Sequence, residues 1–399
     1  MAVRQRYLEK IKPFYNNNNI KVLLGIRRGG KSSILMQIID DLKGLNIEES
    51  RIIYINFEHN NFLFEKNSEG LNQYIKSLIN NYEKFYIFFD EIGSVESWAK
   101  SVKYLSDNFY TSIFVTSSNS DLLMGEPTFL LAGRLTNFKI MPYSFREVCI
   151  LKDIDNIEDI EDEFKSYICW GGMPGRFYYD EPYQIKTYLS DTIDSIIVKD
   201  VISRFKLDDI NLFNKIIEYL IINSLEYFSL DKLCDELLIE YDSVSRSTIC
   251  SYLGYMIKSN LINKASRYDI INKTMLKGKY KFYLTDLGFN SIKNLGIVNQ
   301  TSHYLENIVF NELITSGYSV DIGVLETNEI NFVATKGEEK LYIQVAYLLS
   351  DDDVRDEKFF SFSKLPNDCT KIAISMDYLD MSCYDIVHKN VIEWLVEIK

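Results

Sequence analysis

At 399 residues the chain is longer than a single hydrophobic core usually grows, so about two to four domains are expected. With 46% hydrophobic and 25% charged residues it has the composition of a packed globular protein, and a net charge of -13 with pI near 4.9 argues against a surface that coats nucleic acid, though not against one basic patch. Six scattered cysteines without a C-x-x-C pair point to buried free thiols rather than a disulfide framework or zinc site, and the lack of a leader-like or membrane-length apolar run points to a soluble, cytoplasmic protein with no membrane partner.

In chain order, the first informative stretch is the apolar run at 20–24, which reads as a short buried strand. It leads into Gly25, Ile26, Arg27, Arg28, Gly29, Gly30, Lys31 and Ser32, which fit the pattern G-x-x-x-x-G-K-[ST]. Residues 33–39 then have the apolar spacing of a helix. Strand, glycine-rich turn and helix in this order are the context that a phosphate-cradling loop requires. Glycines let backbone N–H groups turn inward on phosphates, and the helix start adds a positive dipole end. Lys31 is placed to reach the β- and γ-phosphates of ATP and Ser32 to ligate Mg2+, with Arg27, Arg28 and Ser33 completing the loop. A flexible turn with no ligand is the alternative.

A second strand at 51–57 ends in Glu58, and a helix is expected from about Gly70 to Tyr82. The apolar strand at 85–89 ends in Asp90 and Glu91. Such an end delivers Asp90 to the carboxyl edge of a parallel sheet, where one carboxylate can hold the Mg2+ shell, and Glu91 beside it is the natural base for the attacking water. The strand between the phosphate loop and this acid pair marks the additional-strand class of P-loop folds. A fourth strand at 112–117 ends in Ser118 and Asn119. Asn119 is the expected polar group between γ-phosphate and water, with Ser118 in reserve. Arg134, after the turn at Gly133, is either an arginine finger, in cis or across a subunit interface, or a plain surface arginine.

Together, the phosphate loop, Asp90-Glu91-Ile92 with Trp98, residues 116–120, Leu131-Ala132-Gly133-Arg134 and Met141-Pro142-Tyr143-Ser144-Phe145-Arg146-Glu147 resemble the prokaryotic AAA-family ATPases that carry a DUF4143 C-terminal region. The resemblance spans nearly the whole chain and implies an ATPase domain over 1–150. Residues 167–175, with Gly171, Gly172 and Pro174, are similar to that family's Y-x-x-x-G-G-x-P signature and read either as a hinge or as a plain tight turn. A helical connector or lid is expected over 151–208.

From 209 to 292 the pattern is three short helices and two strands around a polar loop, the order of a winged helix. Arg246, Lys264, Arg267, Lys277, Lys279 and Lys281 form a local basic cluster in an acidic protein, the kind that meets the phosphates of double-stranded DNA. Contact with a protein partner is the alternative. Residues 293–399 resemble a PD-(D/E)xK nuclease fold in which Glu306 supplies the helix acid while Asn331, Gln344 and Ala346 occupy the other three roles. Amides and a methyl are poor for Mg2+ and for water activation, so a catalytically dead domain is expected.

The fold class expected is therefore α/β: a P-loop, AAA-like parallel-sheet domain, a helical connector and winged helix, and a small endonuclease-like domain. The first functional reading is a Mg-dependent ATPase whose turnover moves the C-terminal region, on DNA. The second is a nucleotide-gated switch or scaffold in defence, stress or toxin control, with slow turnover and a protein partner. An oligomer is compatible with either.

Overall fold

The apolar runs of the first 140 residues become strands of one parallel sheet, β1 (Ile20–Leu24), β2 (Ile52–Asn56), β3 (Phe85–Asp90), β4 (Thr111–Ser117) and β5 (Leu135–Lys139), in the order β2-β3-β4-β1-β5. This is a computed structural model, and it describes residues 3–58, 62–79, 83–125, 129–223, 226–293, 301–326, 328–365 and 369–397, with the backbone alone for 293 and 301–303. Helices α1 (Gln5–Ile11), α2 (Lys31–Gly44), α3 (Ser68–Leu78) and α4 (Trp98–Asn108) cover the sheet. The helix expected to reach Tyr82 ends at Leu78, and residues 80–82 lie outside the described ones.

Alternation along the strands divides the core in two. Ile20, Val22, Ile87, Phe89 and Val115 join Leu71, Trp98 and Val102 on one face, while Leu23, Phe88 and Phe114 join Tyr7, Ile34 and Ile38 on the other. A parallel sheet buried on both faces needs apolar residues at nearly every position, which is why these strands read as continuous hydrophobic runs. β5 escaped sequence reading because it is an edge strand, half-exposed, with Thr136, Asn137 and Lys139 in it.

The chain divides into two units, the first of Met1–Met141 with Lys258–Asn260 and the second of Pro142–Ile257 with Leu261–Lys399. In the second unit, helices α5 (Phe145–Lys152), α6 (Ile157–Trp170) and α7 (Pro182–Ile196) precede α8 (Ile210–Ile222), α9 (Leu230–Leu237) and α10 (Arg246–Lys258). The hairpin of β6 (Ile262–Asp269) and β7 (Thr274–Leu284) follows, then α11 (Gly288–Lys293), α12 (Thr301–Ser316), β8 (Ser319–Leu325), β9 (Asn328–Lys336), β10 (Glu339–Val345), α13 (Asp352–Ser363), β11 (Thr370–Ser375), β12 (Ile386–Asn390) and α14 (Val391–Glu397).

Among the described residues the seven strands of this unit form one sheet, β12-β11-β10-β9-β8-β6-β7. β6 runs parallel to β8 through Arg267, Tyr268 and Asp269, so the hairpin is built into the same sheet as the C-terminal strands. The sheet therefore extends to both sides of the boundary expected at 292/293, and residues 294–300 beside it lie outside the described ones.

Two sequence signatures correspond to specific local structures. Ser144 and Glu147 form a capping box at the start of α5: the Glu147 N–H donates to Ser144 Oγ, and the Ser144 N–H donates to Glu147 Oε2. The Gly171–Gly172 turn receives Asp286, whose two oxygens accept from the N–H groups of Gly172 (2.7 Å) and Gly288 (2.8 Å). Arg176 donates to Gly171 O at 2.6 Å and pairs with Glu163. A Cβ on Gly171 would lie 1.8 Å from Asp286 Oδ1, and Gly171 has φ +69, so only glycine fits. Burial pushes the Asp286 carboxyl up to about 6 against these hydrogen bonds. A turn bonded this way on both sides is a fixed node of the second unit. The six cysteines are free, as expected, but only Cys149 and Cys234 are buried; Cys369 is half-buried and Cys169, Cys250 and Cys383 are exposed, which corrects the expected burial.

Candidate functional site

The site begins where β1 ends. A Cβ on Gly25 would sit 2.0 Å from the carbonyl oxygen of Ile140, so a side chain there would force β1 away from the chain that follows β5. Gly30, with φ +99, caps the N-terminus of α2, and Arg28 is also left-handed at φ +61. These two residues curl the loop over the start of the helix. Lys31 is 4% exposed and folds back into the curl: its ammonium donates to the carbonyls of Gly25 and Ile26, each at 3.1 Å, and pairs with Glu91 Oε1 at 3.2 Å. Ser32 is exposed on the first turn of α2, and Arg27 pairs with Glu58 at the end of β2.

Asp90 and Glu91 come to the same edge at the end of β3. Asp90 is fully buried. Its Oδ1 accepts from the Thr116 hydroxyl at 2.6 Å, and its Oδ2 accepts from the Tyr54 hydroxyl at 2.9 Å and from Asn56 at 3.4 Å. Glu91 is left-handed at φ +54, a conformation that costs a side-chain-bearing residue about 1 kcal/mol and is seen where neighbours impose it. The neighbours are Thr116 Oγ1, which accepts the Glu91 N–H at 2.8 Å, and Ser118, whose N–H and hydroxyl donate to Glu91 Oε2 at 3.0 and 3.3 Å. Burial pushes the Glu91 carboxyl up. The Lys31 ammonium, the Ser118 N–H and the Arg27 guanidinium outweigh burial and hold the group below the usual glutamate range. Asn260, in the same unit, donates its amide to Ser118 O at 3.0 Å.

The structure thus brings Gly25, Gly29, Gly30, Lys31, Ser32, Asp90, Glu91 and Ser118 to one sheet edge. Asn119 is buried there too, but its amide oxygen accepts from the Asp121 N–H at 2.8 Å, and it is Ser118 that touches Glu91. Arg134 pairs with Asp107 of α4 on the exposed surface. Sequence reasoning missed Thr116 and Tyr54, the two hydroxyls that orient Asp90. A hydroxyl at the next-to-last position of an apolar strand was the available signal for Thr116. The Ser32 hydroxyl and the Asp90 carboxylate are hard oxygen donors of the kind that suit Mg2+, and Asp90 is already oriented by its two hydroxyl partners.

A second cluster lies in the other unit. Glu306 Oε1 accepts from Lys281 Nζ (3.1 Å) and the Tyr283 hydroxyl (2.7 Å), and Oε2 accepts from Asn331 Nδ2 at 2.9 Å. Lys358 donates to Asn331 Oδ1 at 3.2 Å, and burial pushes the nearby Glu329 carboxyl up to about 7 against the charge of Lys358. Lys281 is only 9% exposed and committed to Glu306, so its expected place on a DNA-facing surface is corrected: its position on β7 points into the sheet's covered side. Lys264, Lys277 and Lys279 are exposed on the hairpin. Arg267 is half-buried over the Tyr227 ring, and Arg246 pairs with Asp231.

Compared with known proteins, residues 17–149 match an AAA domain, and residues 161–301 match a domain of unknown function, DUF8612. The matched region is therefore DUF8612 where the sequence resemblance implied DUF4143. An uncharacterized protein of Haemophilus influenzae is 34% identical over 403 residues, covering 100% of this chain and 99% of its own. An uncharacterized protein of Methanocaldococcus jannaschii is 31% identical, covering 85% of this chain and 77% of its own. Among solved structures, the Aeropyrum pernix ORC2 protein in ADPNP–ADP complexes matches with a TM-score of 0.41 and 12% identity, covering 78% of this chain and 92% of that one. The Aeropyrum pernix ORC1 protein in complex with DNA matches with a TM-score of 0.33 and 8% identity, covering 73% and 92%. Among the described residues no helix is long and apolar enough to cross a membrane.

Proposed function

Because the chain belongs to the family of the Haemophilus influenzae relative and carries an AAA domain, we propose that it binds MgATP on the loop between β1 and α2 and hydrolyses it, turnover moving the C-terminal unit. The observation that carries this reading is Lys31: a nearly buried ammonium at a helix start, held by two loop carbonyls and by the carboxylate of Glu91. A triphosphate entering the loop offers that ammonium a stronger partner than peptide carbonyls do. Lys31 then leaves Glu91, which is freed to accept a proton from water. Ser32 and Asp90 would hold the Mg2+, which neutralises phosphate charge when bound. Ser118 steers Glu91 through its N–H and hydroxyl, Asn119 at the same sheet edge is the polar group nearest in sequence for the γ-phosphate, and Arg134 acts at the phosphate only if it leaves Asp107.

The three helices α8, α9 and α10 and the hairpin β6–β7 fit a winged helix, and the exposed Lys264, Lys277 and Lys279 suit duplex DNA phosphates. We infer no nuclease chemistry: both oxygens of Glu306 are engaged, and Asn331, Gln344 and Ala346 occupy the positions that the resemblance to a nuclease fold gives to metal-binding and water-activating groups. The second reading, a cytoplasmic nucleotide-gated switch with slow turnover and a protein partner, is favoured by one observation. Glu91 is held by Lys31 and Ser118 together, so the base is restrained until nucleotide displaces the lysine.

Titration with labelled ATP and Mg2+, followed by steady-state hydrolysis with and without duplex DNA, tests the proposal. Lys31→Ala abolishes binding. Glu91→Gln keeps binding and lowers turnover by about 100-fold or more, the contribution of a positioned base. Unchanged turnover in Glu91→Gln removes the base assignment, and turnover that is slow and indifferent to DNA favours the switch.

A further inference from the structure

Arg4 is fully buried, an unusual place for a permanently charged side chain, and its guanidinium ties the phosphate loop to the segment after β5. Nη1 donates to Gly29 O at 3.2 Å and to Met141 O at 2.8 Å, just past β5. The guanidinium carbon lies 4.5 Å from the centroid of the Tyr7 ring, and the Tyr7 hydroxyl accepts the Met141 N–H at 3.0 Å. The backbone N–H of Arg4 donates to Gln37 Oε1 on α2 at 2.9 Å.

We propose that Arg4 is a positioning residue for nucleotide phosphates, acting through the Gly29–Gly30 peptide; the inference rests on the MgATP reading above. The carbonyl of Gly29 and the N–H of Gly30 belong to one planar peptide, so fixing the oxygen fixes the direction of the N–H. A cation on the oxygen also polarises the peptide and makes that N–H a stronger donor. Gly29 and Gly30 carry no side chains with which to hold this orientation, and Gly30 is at φ +99. Arg4 supplies the hold from behind the loop, and adds a positive charge in a poorly solvated region close to where phosphate charge accumulates. The bond to Met141 O anchors the guanidinium at a second point, so it cannot swing away from Gly29. Lysine, with one compact ammonium in place of a fork, meets the charge requirement and only part of the geometry.

The experiment is a titration of the full chain with a fluorescent ADP plus Mg2+, paired with steady-state ATP kinetics, on the wild type, Arg4→Gln, Arg4→Lys and Gln37→Ala. Circular dichroism confirms that each is folded. Arg4→Gln weakens ADP binding by about tenfold or more and raises KM for ATP by a similar factor, while kcat falls less than KM rises, because Lys31 and Glu91 are untouched. Arg4→Lys falls between the wild type and Arg4→Gln. Gln37→Ala, which removes the acceptor of the Arg4 N–H and leaves the guanidinium bonds to Gly29 and Met141, stays within about twofold of the wild type. Wild-type affinity in Arg4→Gln overturns the inference, as does an equal loss in Gln37→Ala, which would assign the effect to docking of the segment. If Arg4→Gln does not fold, Arg4→Lys decides alone: weakened binding sustains the inference and wild-type binding overturns it. Absence of binding by the wild type is a different result, because it removes the nucleotide reading itself.

Discussion

Thr116 shows how one hydroxyl can serve two acids. It accepts the N–H of Glu91 and donates to Asp90 Oδ1, so the conformation of the expected base and the orientation of the expected metal ligand share one oxygen. Valine keeps the shape and removes both bonds. Thr116→Val should cost about 1–3 kcal/mol for each group left buried without its partner, read by chemical denaturation. It should also lower ATP turnover more than nucleotide affinity, since the phosphate loop is intact. The acid pair itself was legible, because an apolar strand that ends in two carboxylates carries charge straight to the sheet edge, where a nucleotide site needs it. The service of Thr116 was not, because threonine is ordinary in strands and its partner lies 26 residues away. Nor does sequence show that Glu91 is left-handed and held by Lys31.

The elements of the first unit were readable to the extent that they are buried on both faces. β1, β3 and β4 announced themselves as apolar runs; β5, half-exposed at the sheet edge, did not. Lys21 is an exception inside β1. It is fully buried, its ammonium donates to Ser112 Oγ at 2.7 Å, and it lies 4.5 Å from the centroid of the Phe114 ring. Burial, helped by the charge of Lys84, pulls the Lys21 ammonium down from 10.5 to about 7. Between those two values the unfolded chain carries a proton that the folded chain has given up, so stability attributable to Lys21 rises with pH across that window. Below it, the folded protein bears a buried charge. Lys21→Met should therefore stabilise the protein at and below neutral pH by about 1–4 kcal/mol and flatten the rise towards pH 10, as measured by thermal melts across the range. A melt that falls at neutral pH would show that the bond to Ser112 outweighs the charge.

At the scale of the whole chain, the C-terminal reading stopped at β10 in the sequence. The strands β11 and β12 and helices α13 and α14 went unread because their apolar residues are interspersed with charges, as at Lys371 and Lys389. The basic hairpin was visible, but not that one of its lysines is turned inward on Glu306. The DNA reading therefore rests on the exposed lysines: Lys277→Ala with Lys279→Ala should weaken duplex binding and reduce the slope of log affinity against log salt by roughly 1–2, while Lys281→Ala should act on folding instead. Affinity that ignores the double change would leave the hairpin to a protein partner.

The β6 strand of that hairpin pairs with β8 through Arg267, Tyr268 and Asp269, so part of its outer edge belongs to the last hundred residues. Severing the polypeptide near 293 would strip β6 of that neighbour and leave a raw strand edge prone to sticking to other molecules. The two pieces are consequently not interchangeable cassettes. Over evolutionary time they should be inherited, lost or swapped together, and a chimera joined at that point should be insoluble.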